Sequence, residues 1–573
     1  MKRIGIVIAY PPGILTASEG LPRLLTFLVQ GLKETGHKVV VVCPEWCRED
    51  LEHLFKDTDI SLTSKDQIEI ISTGKIPPAL VLHKRIVDWT NRIRKPSYFK
   101  RFSLWSVEKG MEIIPRLAGT DSWIIVVMTG IVWIILSPMI LAGFTFLFLS
   151  AKITELSNSF VLKSIRKVVK ELSEQMKEVK DILLGSRISS RTIEKDTGSD
   201  RSHQGFEEIS QNEFRDVALV RRIFNEVNDN ELKKLSMLAR NQKDIRSWLV
   251  PTSFWPGLVS QLPNPVVVCP DIVITDFPVG FELETFGNQL VTRRTEIEKS
   301  LVAARHIITF SNYVKTAQIS SKFAIDSGKI SVVPHGHITL EESLTILKPF
   351  SKMHPGEQRD LCMQIVHDYL CGYIIDPYVR NFDFTGLRFI FYTSQIRPTK
   401  NICSLIRAFH KVLHENHEPI KLILTGTPSD IGSVPELITE LGLKRDVLFL
   451  PRIPTRVMAA LYHLSALAVN PTLFEGGFPF TFSEAYSVGT PSVMSRIPVV
   501  EEYINDPDLQ TAMLFDPYNV DDIAERIYWG LQNRDELFDI QRSVYERLKS
   551  RSLDQVAREY ADVINRMSVG DGV

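Results

Sequence analysis

Short unbroken apolar runs recur along the chain, and stretches with helical spacing separate them. IGIVIAY (4–10) and VVVVC (39–43) read as strands buried on both faces, as in a parallel sheet. Between them Leu21, Leu24, Leu25, Leu28 and Leu32 recur at helical steps, and Gly36 supplies the stop. The three segments make a βαβ unit. Gly20 stands where the first strand turns into the helix, the place where open α/β sheets bind ligands. The pattern returns in PVVVCPDIVITDFP (265–278), a helix over 290–304, HIITFS (306–311) and KISVVPHG (329–336). A helical connection over 341–375, turning at 353–356, leads to LRFIFY. A loop comes next, then an amphipathic helix with Ile402, Leu405, Ile406 and Phe409 facing inward. KLILTG (421–426), DVLFLPRI (446–453) and LYHLSALAVNP (461–471) continue the alternation, and helices from Val520 to Met567 close the chain.

One stretch breaks this rhythm. Residues 122–151 contain no charged side chain over thirty positions, which fits a membrane segment better than a core helix. As one straight helix it would be about 45 Å long, against a hydrocarbon core of about 30 Å. A single crossing would also leave strands before residue 121 and after 260 on opposite sides of a bilayer, where they could not pair. The segment is therefore expected to enter and leave on one side, as a re-entrant hairpin bending at Ser137 and Pro138, or to lie as a helix in the interface. Basic residues on both flanks, among them Lys84, Arg85, Arg92, Arg94, Lys163, Arg166 and Lys167, place both flanks in the cytoplasm. Trp89, Tyr98, Phe99 and Trp105 suit a headgroup layer.

From Leu162 to Leu183 apolar residues step by three and four, a heptad seam of three repeats. It fits a helix packed on its own domain or self-association into a homo-oligomer. Residues 186–205 read as a polar linker, and 214–249 as helices returning to the sheet.

Composition narrows the function classes. At 573 residues the chain exceeds one core and implies two to four domains. Its 67 basic and 68 acidic residues nearly cancel, which gives no field for nucleic acid. The six cysteines show no zinc-binding spacing and read as reduced cytosolic thiols. The apolar run before Pro11 and Pro12 is too short for a signal-peptide core.

Candidate chemistry concentrates in PTLFEGGFPFTFSEAYSVGTP (471–491). Glu475 and Glu484 flank a Gly476, Gly477, Phe478, Pro479 turn, and a helix is expected to begin near Phe482. Glycines let backbone approach a ligand closely, and a helix start offers N–H donors and a positive dipole end. Two carboxylates suit vicinal hydroxyls, as a sugar ring and a ribose present them.

This stretch resembles the acidic signature of the glycosyltransferase family 4 type, enzymes of GT-B fold with two glutamates around an E-G-F-G-x-P turn, followed by E-A-x-x-x-G-x-P. Glu475, Gly476, Glu484, Ala485, Gly489, Thr490 and Pro491 carry the likeness. The family usually has seven residues between its glutamates, and this chain has eight. The loop from Ser394 to Asn401 resembles the family's diphosphate-binding G-R-x-x-x-x-K-G: Lys400 matches the lysine, Gln395 stands in place of the arginine, and Arg397 lies two residues on. The G-H-x-V-x-V-x-x-P run at Gly36 to Pro44 is similar to the start of a GT-B amino-terminal domain. Pro270 stands before Asp271 where the family often has a histidine.

The resemblance implies a retaining glycosyltransferase that takes a hexosyl unit from a UDP- or GDP-sugar without a divalent metal or other cofactor. Lys400 and Arg397 would hold the diphosphate, Glu475 and the Gly476 to Pro479 turn the sugar, and Glu484 the ribose. Gln395 and Gly426 would lie by the phosphates and Arg452 by the base, with Gly20, Asp271 and His335 on the acceptor side. The expected architecture is α/β: two Rossmann-like domains facing a cleft, with a membrane-associated helical insertion in the first. The first domain would comprise 1–83 and 250–340, the insertion 84–249, a helical connection 341–385, the second domain 386–550, and a helix crossing back 551–573. The hairpin points to a lipid-linked or polysaccharide acceptor, membrane lipid as partner, and the cytoplasmic face of a membrane such as the bacterial inner membrane. The rival reading is a non-catalytic GT-B module that binds nucleotide sugar and organises a polysaccharide assembly complex.

Overall fold

The computed structural model describes residues 2–10, 20–57, 67–77, 230–279, 290–346, 348–374, 376–381, 386–427, 433–451 and 453–569. Met1–Gly74 and Leu232–Val573 form one compact unit, and Lys75–Glu231 a second. The apolar stretch 122–151 with its basic flanks, the heptad seam, the polar linker and Arg452 lie outside the described residues. Among the described residues no helix is long and apolar enough to cross a membrane.

The larger unit is built on two parallel sheets. In the first lobe the strands are β1 (Arg3–Val7), β2 (Lys38–Cys43), β3 (Ile68–Ser72), β4 (Trp248–Val250), β5 (Pro265–Val268), β6 (His306–Thr309) and β7 (Ile330–Val332), ordered β3-β2-β1-β4-β5-β6-β7. In the second they are β8 (Arg388–Tyr392), β9 (Ile420–Thr425), β10 (Val447–Leu450), β11 (Leu467–Asn470), β12 (Ser492–Ser495) and β13 (Leu514–Phe515), ordered β10-β9-β8-β11-β12-β13. The unbroken apolar runs result from burial on both faces: Val39 to Val42 in β2 and Leu422 to Leu424 in β9 have no solvent exposure. In each sheet the order reverses beside the first strand of its lobe, β1 or β8. Such a switch point opens a crevice at the carboxyl ends of the strands.

The sequence pattern left β3, β4, β12 and β13 unmarked, and β4 most plainly. Residues 214–249 read as helices throughout, yet Trp248–Val250 form β4, which pairs with both β1 and β5. Three residues are too few to show a period, and the strand exists because two neighbours bond to it. Gly5 of β1 is matched to this arrangement, since a Cβ there would lie 2.5 Å from the Trp248 ring.

Four helices shape the space between the lobes or its walls: α1 (Gly20–Glu34), α2 (Ile402–His414), α3 (Phe480–Tyr486) and α4 (Leu553–Val569). α2 buries Ile402, Leu405, Ile406 and Phe409, the face its spacing marks. α4 leaves the second lobe and returns to the first, where Ala557, Tyr560, Ala561, Val563 and Ile564 join the core beneath α1. The helices meet closely because Gly31 of α1 faces Ala557, whose Cβ would be 2.6 Å from any Cβ at position 31.

Tyr560 is almost fully buried, and its hydroxyl has no hydrogen-bond partner. Tyr560→Phe should therefore hold or raise stability, by up to about 1–2 kcal/mol, since a buried unpaired hydroxyl costs free energy. Tyr560→Ala should lose about 3–5 kcal/mol; denaturant melts of the two variants check both.

Candidate functional site

The second lobe presents its candidate residues on two loops that hold each other. After β11 the chain runs back over the loop preceding α2: the Leu473 N–H donates to Thr399 O at 2.8 Å, and Thr472 Oγ1 to the same carbonyl at 3.3 Å. Pro398–Lys400 form one 3-10 turn, ended by Asn401 at φ +56°, whose Nδ2 donates to Pro517 O at 2.8 Å. This clamp sets the Lys400 ammonium directly against Glu475, to which it donates a charged hydrogen bond. Each side chain keeps about a quarter of its surface open, 23% and 25%.

A second clamp shapes the wall beside them. The Ser394 N–H donates to Thr425 Oγ1 at 2.8 Å, and that hydroxyl donates to Ser394 O at 2.7 Å. Gly426 comes next at φ +96°, with Ile396 Cγ1 only 2.8 Å from where a Cβ would stand. Gln395 and Arg397 flank buried Ile396 and are exposed. Glu484 lies on α3 and is 3% exposed, enclosed where Glu475 is open. The Phe478 ring is buried with Phe482 and Tyr503, at centroid distances of 5.5 and 4.9 Å. Pro479 caps α3, which starts at Phe480, two residues before the sequence pattern marked it.

The first lobe closes on this turn from the carboxyl ends of β5, β6 and β7. A Cβ on Gly476 would collide with Pro270 O and stand 2.9 Å from Asp271 Cβ; one on Gly477 would meet His335 Cδ2 at 2.9 Å and Phe310 Cβ at 3.1 Å. The two glycines thus stand where the lobes touch, a contact the sequence pattern did not indicate. Ser311 Oγ donates to Gly476 O at 2.8 Å. Glu502 accepts the backbone N–H of Asn312 at 3.0 Å and that of Tyr313. His335 lies between Phe310 and Phe480, with ring centroids 4.0 and 4.5 Å away.

Closure brings charges together across the cleft. Burial pushes the Asp271 carboxyl up to about 6 and Glu475 adds to the rise, while Lys400 and Arg397 pull it down. Burial, with the charge of Arg551 second, brings His335 down to about 4, so its imidazole is neutral near pH 7. The Tyr392 hydroxyl is pushed up by burial and by Glu475.

Of the residues singled out by sequence, the structure gathers Lys400, Glu475, Gly476, Gly477, Asp271 and His335, with Arg397 close enough to act on Asp271. Gly20 begins α1, and Arg452 lies outside the described residues. Ser311 and Glu502 had no signal in spacing, because each acts on a backbone group of the opposite lobe. Among the described residues no three His, Cys, Asp or Glu side chains come together to hold a metal ion.

Gly476→Ala should destabilise the unit by about 1–3 kcal/mol, the usual cost of overpacking, read as a lowered denaturation midpoint. The titrations of Asp271 and His335 have opposite signs. Asp271 has a raised folded value, so its stabilising contribution is complete below the unfolded value and is lost as pH rises through about 6. His335 has a depressed one, so its contribution is present above the ordinary histidine value and is lost as pH falls towards 4. Asp271→Asn should gain on the parent protein as pH rises from 4 to 7, and His335→Phe should gain as it falls over the same range; denaturant melts at several pH values read both slopes.

The second lobe also matches a known family. Residues 379–547 fit the model of the glycosyl transferases group 1 family. An uncharacterized glycosyltransferase of Methanocaldococcus jannaschii is 28% identical over 181 residues, 31% of this chain and 44% of that one. An MMP alpha-(1->4)-mannosyltransferase of Mycolicibacterium hassiacum is 31% identical over 137 residues, 24% of this chain and 32% of that one. The chain thus spans less than half the length of either relative. In fold it is similar to the crystal structure of a glycosyltransferase from Rickettsia africae, at a TM-score of 0.51 and 12% identity over 100% of this chain and 99% of that one. The second lobe accordingly matches the glycosyl transferases group 1 model over 379–547, and the fold as a whole is similar to that of the Rickettsia africae glycosyltransferase.

Proposed function

We propose that the protein is a retaining glycosyltransferase of family 4 type, moving a hexosyl unit from a UDP- or GDP-sugar to a lipid-linked or glycan acceptor at the cytoplasmic face of a membrane. The observation that carries this reading is the Lys400–Glu475 pair facing Asp271 across the cleft, inside the group 1 region. When the glycosidic C–O bond of the donor breaks, the departing diphosphate gains negative charge, and a fixed cation stabilises it. Lys400 is held for that task by its clamped 3-10 turn, and exposed Arg397 supplies a second cation. Glu475 holds the ammonium in place and offers its free lone pairs to sugar hydroxyls. The acceptor oxygen forms the new C–O bond on the same face, and its proton passes to the leaving phosphate oxygen. Neither carboxylate acts as a nucleophile in this scheme. Retention, the donor's base and its sugar rest on the sequence resemblance, and the membrane location rests on 122–151.

The rival reading as a non-catalytic nucleotide-sugar-binding scaffold draws on two departures from the family pattern, Gln395 in the arginine's place and the eight-residue gap between the glutamates. Turnover separates the two. Purified protein with a panel of UDP- and GDP-sugars should release nucleoside diphosphate, and Glu475→Gln and Lys400→Ala should each lower that rate by about 10²–10³. Because the pair is partly open to solvent, the same variants should change stability by no more than about 1 kcal/mol. Absence of turnover alongside a thermal shift with nucleotide sugar would favour the scaffold.

A further inference from the structure

Between the lobes lies a cavity of about 360 Å³ whose lining is of two kinds. Its lining includes Asp271 and Glu475, which the transfer reading uses, and the backbone of Gly476 and Gly477 beside them. The rest of the wall is apolar: Leu24 and Phe27 of α1, Phe310 after β6, Phe480 of α3, and Leu553 and Val556 of α4. His335 also lines it, held neutral near pH 7 in its aromatic stack. Leu24, Phe27, Leu553 and Val556 are only half-buried, although they sit on the two helices that pack the first lobe together. All four line the cavity, so among the described residues apolar side chains stand beside the candidate chemistry. The volume falls in the range of small-molecule sites, which combine apolar walls with a few convergent polar groups.

We infer that this cavity is the seat of the acceptor's apolar part: the acceptor is amphipathic, its hydroxyl beside Asp271 and Glu475 and its hydrocarbon portion along α1 and α4. This rests on the transferase reading and narrows the acceptor to one class, since a purely polar glycan would leave Leu24, Phe27, Leu553 and Val556 facing hydroxyls. The apolar portion is bound by the protein itself, so recognition of the hydrocarbon is separable from attachment to a bilayer. The arrangement also explains why the last helix crosses back. Without α4 the cavity would lack Leu553 and Val556.

The test uses the full chain with n-butyl, n-hexyl and n-octyl β-D-glucosides below micelle-forming concentrations, with glucose as control and affinity read by calorimetry. Affinity should rise by about four-fold per methylene until the chain fills the cavity. Val556→Trp, which fills the cavity from α4, should remove the dependence on chain length. Phe27→Gln, on α1, should flatten it independently should the tryptophan variant fold poorly. Thermal shift with UDP or GDP reports the donor site separately. Unchanged nucleotide shifts with a lost chain-length slope support the inference. A flat slope in the parent protein overturns it while leaving the transferase reading intact, and so does a slope that survives both substitutions, which places the tail elsewhere.

Discussion

The close contact of the Gly476–Gly477 turn with the first lobe is the constraint on which the rest of the site depends. Backbone of one lobe touches backbone of the other at a place where neither glycine has room for a Cβ. Ser311 and Glu502 then turn that contact into hydrogen bonds, one to a carbonyl of the turn and two from N–H groups of the first lobe. Backbone groups buried at such a junction must find partners. Here each lobe supplies what the other lacks, and the carboxylates of Asp271 and Glu475 are brought within reach of one another as a result.

Closure also organises the electrostatics. Burial raises the Asp271 carboxyl first, and repulsion from the nearby Glu475 carboxylate adds to the rise. Lys400 and Arg397 offset the repulsion from the opposite lobe, so the cleft holds mixed charge with little net excess.

The returning helix α4 joins fold and site. It completes the core of the first lobe through Tyr560, Ala561 and Ile564, while Leu553 and Val556 on its earlier turns finish the apolar cavity beside the turn. One helix thus ties the two lobes together and shapes the space between them.

The sequence by itself marked the strands that appear as unbroken apolar runs, such as β1, β2, β5 and β9, because burial on both faces of a parallel sheet produces such runs, and it singled out Glu475 and Lys400, because their neighbours form a recognisable signature. It also marked Asp271 and His335 as cleft residues. Only the tertiary structure decided that the glycines stand where the lobes touch, that Glu484 and Phe478 are enclosed, that Trp248–Val250 is a strand, and that α1 and α4 place apolar side chains beside the charges. The physical reason is sequence distance. Periodicity records what a residue's own element buries, whereas Ser311 with Gly476 and Glu502 with Asn312 meet across 165 and 190 positions, through loops whose order carries no period.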